Sequence, residues 1–293
     1  MSLWETISAD IAAATGRRAG LRQQEAIGVG CINQAFRVDY GDTRYLVKLS
    51  GAGKVGMFAA EALGLQELQQ CSELRIPEPV CWGSDGQSSY LVMEYLDLGG
   101  RGDAAVLASG LANMHRITRP EFGWVRDNTI GSTLQINTPA DDWIDFWRDN
   151  RLGFQLDLAV RNGAGARLQA RGERLLAEFP QLFSGYTPVA SLLHGDLWGG
   201  NQAFTRSGEP AIYDPAVYYG DREADIAMTE LFGGFGRNFH AAYHGYYPLD
   251  AGYAVRKRLY NLYHILNHFN MFGGGYLSQA QGMLDSLLSE LSA

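Results

Sequence analysis

The sequence predicts an α+β fold of two lobes, a small β-rich N-terminal lobe at residues 1–98 and a larger, mainly helical C-terminal lobe at 99–293. Three observations lead there. Residues 1–95 mix strand-like and helix-like patterning, and Gly99-Gly100-Arg101-Gly102 reads as a hinge. Beyond that breaker, apolar residues recur at helical spacing. At 293 residues the chain is about twice a typical domain, enough for two cores.

The elements follow in order. Residues 1–16 read as an amphipathic helix with Leu3, Ile7 and Ile11 on one stripe, without the charged start and continuous apolar stretch of a signal peptide. Residues 34–40 and 44–49 read as strands joined by the Gly41-Asp42 turn. A helix follows at 57–70, where Phe58, Ala62, Leu65 and Leu68 fall near helical spacing. Residues 77–87 are rich in breakers and read as a connection into a buried strand at 89–95. In the second lobe Leu107, Leu111 and Met114 mark one helix, 141–160 another, and Val255, Leu259, Leu262, Leu266 and Phe269 a third. A short β-rich insert at 191–214 interrupts them. Two lobes imply a cleft, the common setting for a small-molecule site.

Composition excludes several classes. Lys and Arg number 24 against 32 Asp and Glu, a net charge of −8, so a broadly basic nucleic-acid-binding surface is not expected. An apolar fraction of 46% with 19% charged residues describes a folded globular chain. No apolar run approaches the roughly 18 residues of a membrane span. Cys31, Cys71 and Cys81 form neither a disulfide framework nor a C-x-x-C pair, which suits a reducing, cytoplasmic setting.

The strongest chemical signal is Leu193-His194-Gly195-Asp196-Leu197-Trp198-Gly199-Gly200-Asn201. Asp196 and Asn201 have the D-x-x-x-x-N spacing of a kinase catalytic loop. In that chemistry the carboxylate takes or orients the proton of the attacking hydroxyl, and the amide oxygen coordinates Mg²⁺. Thirteen residues on, the strand-like Ala211-Ile212-Tyr213 ends in Asp214, a second hard-oxygen ligand. The first lobe supplies matching parts. Gly28 and Gly30 open a turn where backbone N–H groups can approach phosphates, although Asn33 stands where a third glycine would be. Lys48 sits inside an apolar strand and needs a partner, which Glu61 on the next helix provides.

These residues together resemble the fructosamine kinase (ketosamine kinase) family, a branch of the protein-kinase-like fold close to aminoglycoside phosphotransferases and choline kinases. The resemblance covers almost the whole chain. It rests on residues 28–33 and 193–201, on 214–235 with Asp221-Arg222-Glu223-Ala224-Asp225, on 122–137 with Asp127-Asn128-Thr129-Ile130-Gly131, and on 263–276. It implies ATP- and Mg²⁺-dependent phosphorylation of a ketosamine sugar hydroxyl, typically on carbon 3 of a fructosamine or ribulosamine carried by an amine or a protein lysine. The product is unstable and frees the amine, so such enzymes act in deglycation. Carried over, Asp196 is the catalytic base and Asn201 and Asp214 hold the metal. Gly28, Gly30, Cys31, Lys48 and Glu61 lie at the nucleotide phosphates, Met93, Glu94 and Tyr95 at the adenine strand, and Trp198 and His268 against the substrate.

Other readings compete at single residues. His194 is expected to be structural, bonded to its own loop. Trp198 is either core or a platform for the sugar or lysine stem. His264 and His268 lie opposite the apolar stripe of their helix, on a face that is either solvated or substrate-lining. Asp221, Glu223 and Asp225 read first as a helix cap and its N-terminal charges, with bracing of the catalytic loop by Asp225 as the alternative. Cys31 is either a small residue in a tight loop or a redox-sensitive thiol that links two chains. For function, the alternatives are a kinase for another amine-bearing acceptor, such as an aminoglycoside or choline, and a nucleotide-binding regulator.

Overall fold

The structure, a computed structural model, describes residues 2–29 and 33–292. It divides into two units that do not follow the chain in one cut: Met1–Asp103 with Ala203–Pro215, and Ala104–Gln202 with Ala216–Ala293. The expected boundary at 98/99 therefore moves to Asp103, and the first unit gains a later segment. Backbone pairing explains the capture. The Arg75 amide donates to Pro210 O (2.8 Å), the Ile212 amide to Arg75 O, and the amides of Gly99 and Gly100 to Phe204 O.

In the first unit, α1 (Leu3–Thr15) starts at a capping box, in which Ser2 and Glu5 satisfy each other's backbone amides, and stops at Gly16, φ 70°. Its buried Ile7 and Ile11 pack with Val38, Tyr40, Val47, Tyr90 and Val92. The sheet is antiparallel, in the order β1 (Leu21–Val29), β2 (Gln34–Tyr40), β3 (Thr43–Gly51), β5 (Ser88–Glu94), β4 (Pro79–Ser84). The Tyr40↔Thr43 register closes the predicted Gly41-Asp42 turn. Strand β4 lies where a connection was expected. Its proline begins an edge strand, where a missing N–H costs the sheet nothing. Between β3 and β5 in sequence, α2 (Val55–Leu68) buries Phe58, Ala62, Leu65 and Leu68. Of the three glycines in the expected hinge, Gly100 and Gly102 are there for close approach. A Cβ on Gly100 would lie 1.9 Å from Thr205 O, and one on Gly102 would enter the Phe204 ring.

The second unit is mainly helical. It begins with α3 (Ala104–Met114) and the hairpin of β6 (Asn128–Ile130) and β7 (Thr133–Gln135). The segment expected as one helix at 141–160 is α4 (Trp143–Trp147), a π-helical turn (Arg148–Gly153) and α5 (Phe154–Arg161). A Cβ on Gly153 would meet Arg148 O at 2.4 Å, so the wide turn needs glycine there. Next come α6 (Gly165–Glu178) and a 3-10 turn (Phe179–Phe183). Strand β8 (Ser191–Leu193) pairs antiparallel with β11 (Tyr218–Gly220), while the intervening β9 (Gln202–Phe204) and β10 (Pro210–Ile212), which apart from Gln202 belong to the first unit, pair with each other. Helices α7 (Glu223–Leu231), α8 (Arg237–Tyr246), α9 (Tyr253–Phe272) and α10 (Tyr276–Leu291) complete the unit. Helix α9 is enclosed on all sides from Leu259 to Asn267 because α5, α7 and α10 pack around it. His264 is therefore buried, which removes the solvated alternative for that residue.

Candidate active-site residues

In the first unit, β3 carries Lys48 between Val47 and Leu49 and leaves it only 8% exposed. Its Nζ lies 2.5 Å from Glu61 Oε1 on α2 and 2.5 Å from Asp214 Oδ1, just beyond β10. Burial alone would lower the pKa of this amine, but the charges of Asp214 and Glu61 outweigh it and raise the pKa above the ordinary lysine value. Lys48 thus stays charged inside the unit. Asp214 is the one non-glycine among the described residues in the left-handed region, φ 58°, a strained conformation of the kind found at functional sites. Gly28 pairs with Ala35 at the end of β1, and Gly30 and Cys31 lie outside the described residues. Met93 is buried in β5, Glu94 is bound to Arg75 and donates its amide to Glu78 O, and Tyr95 lies under the Arg44 guanidinium.

In the second unit the segment from His194 to Asn201 leaves β8 and is pinned from two directions. Asp225, 1% exposed on α7, accepts the amides of His194 (2.7 Å) and Gly195 (2.9 Å). From the other direction Ala216 donates its amide to His194 O (2.8 Å). Its carbonyl approaches Gly195, φ 81°, so closely that a Cβ there would sit 2.0 Å away. This is the one loop glycine whose identity both conformation and space dictate. At the loop's end the Asn201 Nδ2 donates to Asp196 O (2.9 Å) and Oδ2 (3.3 Å). His194 Nδ1 accepts the Asp196 amide (3.2 Å), the structural role expected for it.

A second layer holds these braces. His115 Nε2 lies 3.2 Å from Asp225 Oδ2, and its Nδ1 is 2.7 Å from the Tyr243 hydroxyl. An ionised carboxylate only accepts, so Nε2 carries the proton and Nδ1 accepts from the tyrosine. Burial lowers the His115 pKa and keeps the ring neutral. Burial would raise Asp225, but His115 and the loop amides prevail and hold it below the usual carboxylate range. Across the loop, Gln135 Nε2 donates to Ala216 O (2.9 Å) and Asn128 Oδ1 (2.8 Å), while Asn128 Nδ2 donates to Val217 O (2.8 Å). Tyr263 of α9 donates to Gln135 Oε1, and buried Arg151 of the π turn donates to Asn137, which donates to Asn128. The 122–137 stretch is thereby tied to the segment from His194 to Asn201.

Of the acidic residues at the start of α7, Asp225 takes the bracing alternative. Asp221 lies one residue before the N-cap, Arg222; its carboxylate accepts the Glu223 amide and is itself sealed under Tyr260 and Tyr186. Glu223 is buried in a two-pronged pair with Arg256 (2.7 and 3.0 Å) rather than lying at a solvated helix start. Trp198 is 40% exposed, which removes the core alternative. His268 is half-buried on α9, ringed by Phe232, Phe272 and Tyr276. Sequence reasoning did not reach His115, Tyr243, Gln135 or Arg151. All act through partners over 70 residues away in sequence or through a buried network, and no local spacing marks them.

The fructosamine kinase family model matches residues 3–290. The chain is 46% identical over 288 residues to the "Probable ketoamine kinase" of Synechocystis sp., covering 97% of each protein. It is 42% identical over 282 residues to the chloroplastic protein-ribulosamine 3-kinase of Arabidopsis thaliana, covering 95% of this chain and 86% of that one. A crystal structure of a fructosamine-3-kinase candidate from Haemophilus somnus 129PT superposes with a TM-score of 0.89 at 28% identity, over 97% of both chains. Choline kinase LicA of Streptococcus pneumoniae shares the protein-kinase-like fold alone, with a TM-score of 0.66 at 13% identity over 98% of each chain. With its family model matched from end to end, this chain belongs to the fructosamine kinase family.

Proposed function

We propose that the protein is an ATP-dependent ketosamine kinase that phosphorylates a sugar hydroxyl, O3 of a fructosamine or ribulosamine, on a small amine or a protein lysine. The substrate oxygen attacks the γ-phosphorus, the bond from that phosphorus to the β,γ-bridging oxygen breaks, and ADP leaves with the electron pair. Asp196 takes the hydroxyl proton. Catalysis of this type is chiefly positioning and charge neutralisation. The observation that carries the reading is the fixing of the Asp196 loop. Its backbone is held by Asp225 and Ala216, and its carboxylate is oriented by the Asn201 amide.

Asn201 and Asp214 are proposed as the metal-holding residues. Asn201 turns its nitrogen to Asp196, so its carbonyl oxygen is the ligand end, and Asp214 offers a carboxylate; hard oxygens of this kind fit Mg²⁺. When bound, Mg²⁺ neutralises charge on the phosphate oxygens. Lys48, kept charged by its two carboxylates, is assigned to the nucleotide phosphates with Glu61 as its support. Gly28, Gly30 and Cys31 are assigned to the phosphate loop, Met93 to Tyr95 to the adenine, and Trp198 and His268 to the acceptor. The location proposed is the cytoplasm. Among the described residues no helix is long and apolar enough to cross a membrane.

The test is ADP release from Mg·ATP with ribulosamine- and fructosamine-modified lysine, set against an aminoglycoside and choline. Turnover confined to the ketosamines supports the reading, and turnover of choline or the aminoglycoside alone overturns it. A redox-linked dimer through Cys31 belongs to the same reading. Peroxide should then produce a thiol-reversible dimer that Cys31→Ala abolishes, and a dimer that persists in the variant removes Cys31 from that role.

A further inference from the structure

Around His268 the second unit exposes aromatic surface that phosphoryl transfer does not use. The His268 ring lies 4.7 Å from Phe232, 5.7 Å from Phe272 and 5.1 Å from Tyr276, with interplanar angles of 44–59°. The rings are splayed rather than stacked shut. Phe232 is 38% exposed and Phe272 50%, so two large apolar faces remain open to a ligand. The backbone builds this arrangement. Phe232 follows the last turn of α7 and Phe272 ends α9. Gly273 and Gly274, both at positive φ, then reverse the chain so that Tyr276 returns beside His268.

The cluster adjoins the catalytic loop within the same unit. The Gly199 amide donates to Gly233 O (3.2 Å), directly after Phe232. A Cβ on Gly199 or Gly234 would meet the other's backbone at 2.7 or 2.4 Å, so neither contact tolerates a side chain. Tyr263, five residues before His268 on α9, feels the charge of Asp196.

His268 has a defined proton. Its Nδ1 lies 2.8 Å from His264 O, and a carbonyl oxygen only accepts, so Nδ1 carries the hydrogen. Burial holds the ring below the ordinary histidine pKa, so it is neutral at pH 7 and Nε2 is a lone-pair acceptor. Splayed aromatic faces beside a nitrogen acceptor suit a cation carried on an alkyl stem: the faces attract the charge and cover the methylenes.

Building on the ketosamine reading, we propose that Phe232, His268, Phe272 and Tyr276 form the subsite for the amine-bearing end of the acceptor. The alkyl stem lies on Phe232 and Phe272, and the substrate ammonium donates to His268 Nε2. The subsite selects for the carrier amine rather than for the sugar, favouring long aliphatic amines such as a lysine side chain over short ones.

The experiment compares fructosamine adducts of Nα-acetyl-lysine and of methylamine by ADP release. A methylene kept from water is worth about 0.8 kcal/mol, about fourfold in affinity. Phe232→Ala and Phe272→Ala should therefore lower kcat/KM for the lysine adduct about tenfold more than for the methylamine adduct, with Phe272→Tyr restoring the difference. Both side chains are partly exposed, so their truncation does not open the core. His268→Phe keeps a ring but removes the acceptor, and should raise KM for both adducts more than it lowers kcat. Equal losses for the two adducts in the phenylalanine variants, or a His268→Phe loss confined to kcat, overturn the subsite while leaving the ketosamine reading intact. Failure of the unaltered enzyme on both adducts overturns both.

Discussion

Replacing Asp225 separates the brace of the 194–201 loop from the chemistry proposed for it. Its Oδ2 accepts the His194 amide and faces His115 Nε2, while Oδ1 accepts the Gly195 amide. In Asp225→Asn the carboxamide has one oxygen. With that oxygen at the Oδ2 place, the new NH₂ points at the Gly195 N–H, and one charge-assisted bond is exchanged for two facing donors. A hydrogen bond to a charged group is worth about 1.5–3 kcal/mol, so the variant should lose about 2 kcal/mol of unfolding free energy. Asp225→Ala strands both buried amides and should lose about 3–6 kcal/mol, a large share of the 5–15 kcal/mol available to a typical protein. Displacement of the loop by about 1 Å should lower kcat about 10²-fold. KM for ATP should change little, since Asp225 acts through the loop backbone. Urea unfolding at pH 7.5 and steady-state ADP release measure the two effects. An Asn variant within 0.5 kcal/mol and threefold of the unaltered enzyme would refute the argument.

Asp196→Asn should lower kcat by about 10²–10⁴ with the fold intact, whereas Asp214→Ala should raise the Mg²⁺ concentration needed for half-maximal rate; a metal titration distinguishes them. Lys48→Met leaves Glu61 and Asp214 without their cation and should cost about 3–5 kcal/mol as well as nucleotide affinity, read by thermal unfolding and ATP titration. Gly195→Ala drives a methyl into Ala216 O, and kcat should fall by at least tenfold; normal turnover would show that the loop relaxes freely. The contributions of His115 and His264 to stability should be complete above pH 7 and be lost as pH drops below about 6.5. There the unfolded chain takes up protons that His115, lowered chiefly by burial, and His264, pushed down by burial to about 3, refuse in the folded state. His264 alone should account for about 3 kcal/mol between pH 7 and pH 4, read as the difference in pH dependence of unfolding between the unaltered protein and His264→Gln; the same pH dependence in both would contradict this.

Local chemistry made much of this protein legible in its sequence. Ile7 and Ile11 recur at helical spacing, Gly41-Asp42 can close only a tight turn, and a lysine amid Tyr45-Leu46-Val47 must find a carboxylate. Each of these is decided within a few residues. The Asp196–Asn201 spacing was readable for the same reason, since one loop has to carry both groups. The tertiary structure decided what depends on distant partners. Gly100 and Gly102 looked like a hinge because glycine signals freedom locally, but the 203–215 segment comes back to lie against them. Asp225 looked like a helix-start charge because the donors it accepts from, the amides of His194 and Gly195, lie 31 and 30 residues away in sequence. On a helical wheel His264 faces either solvent or substrate, yet α9 is enclosed on every side from Leu259 to Asn267. A wheel records which residues share a face. Only packing determines whether that face meets water, another helix or a substrate.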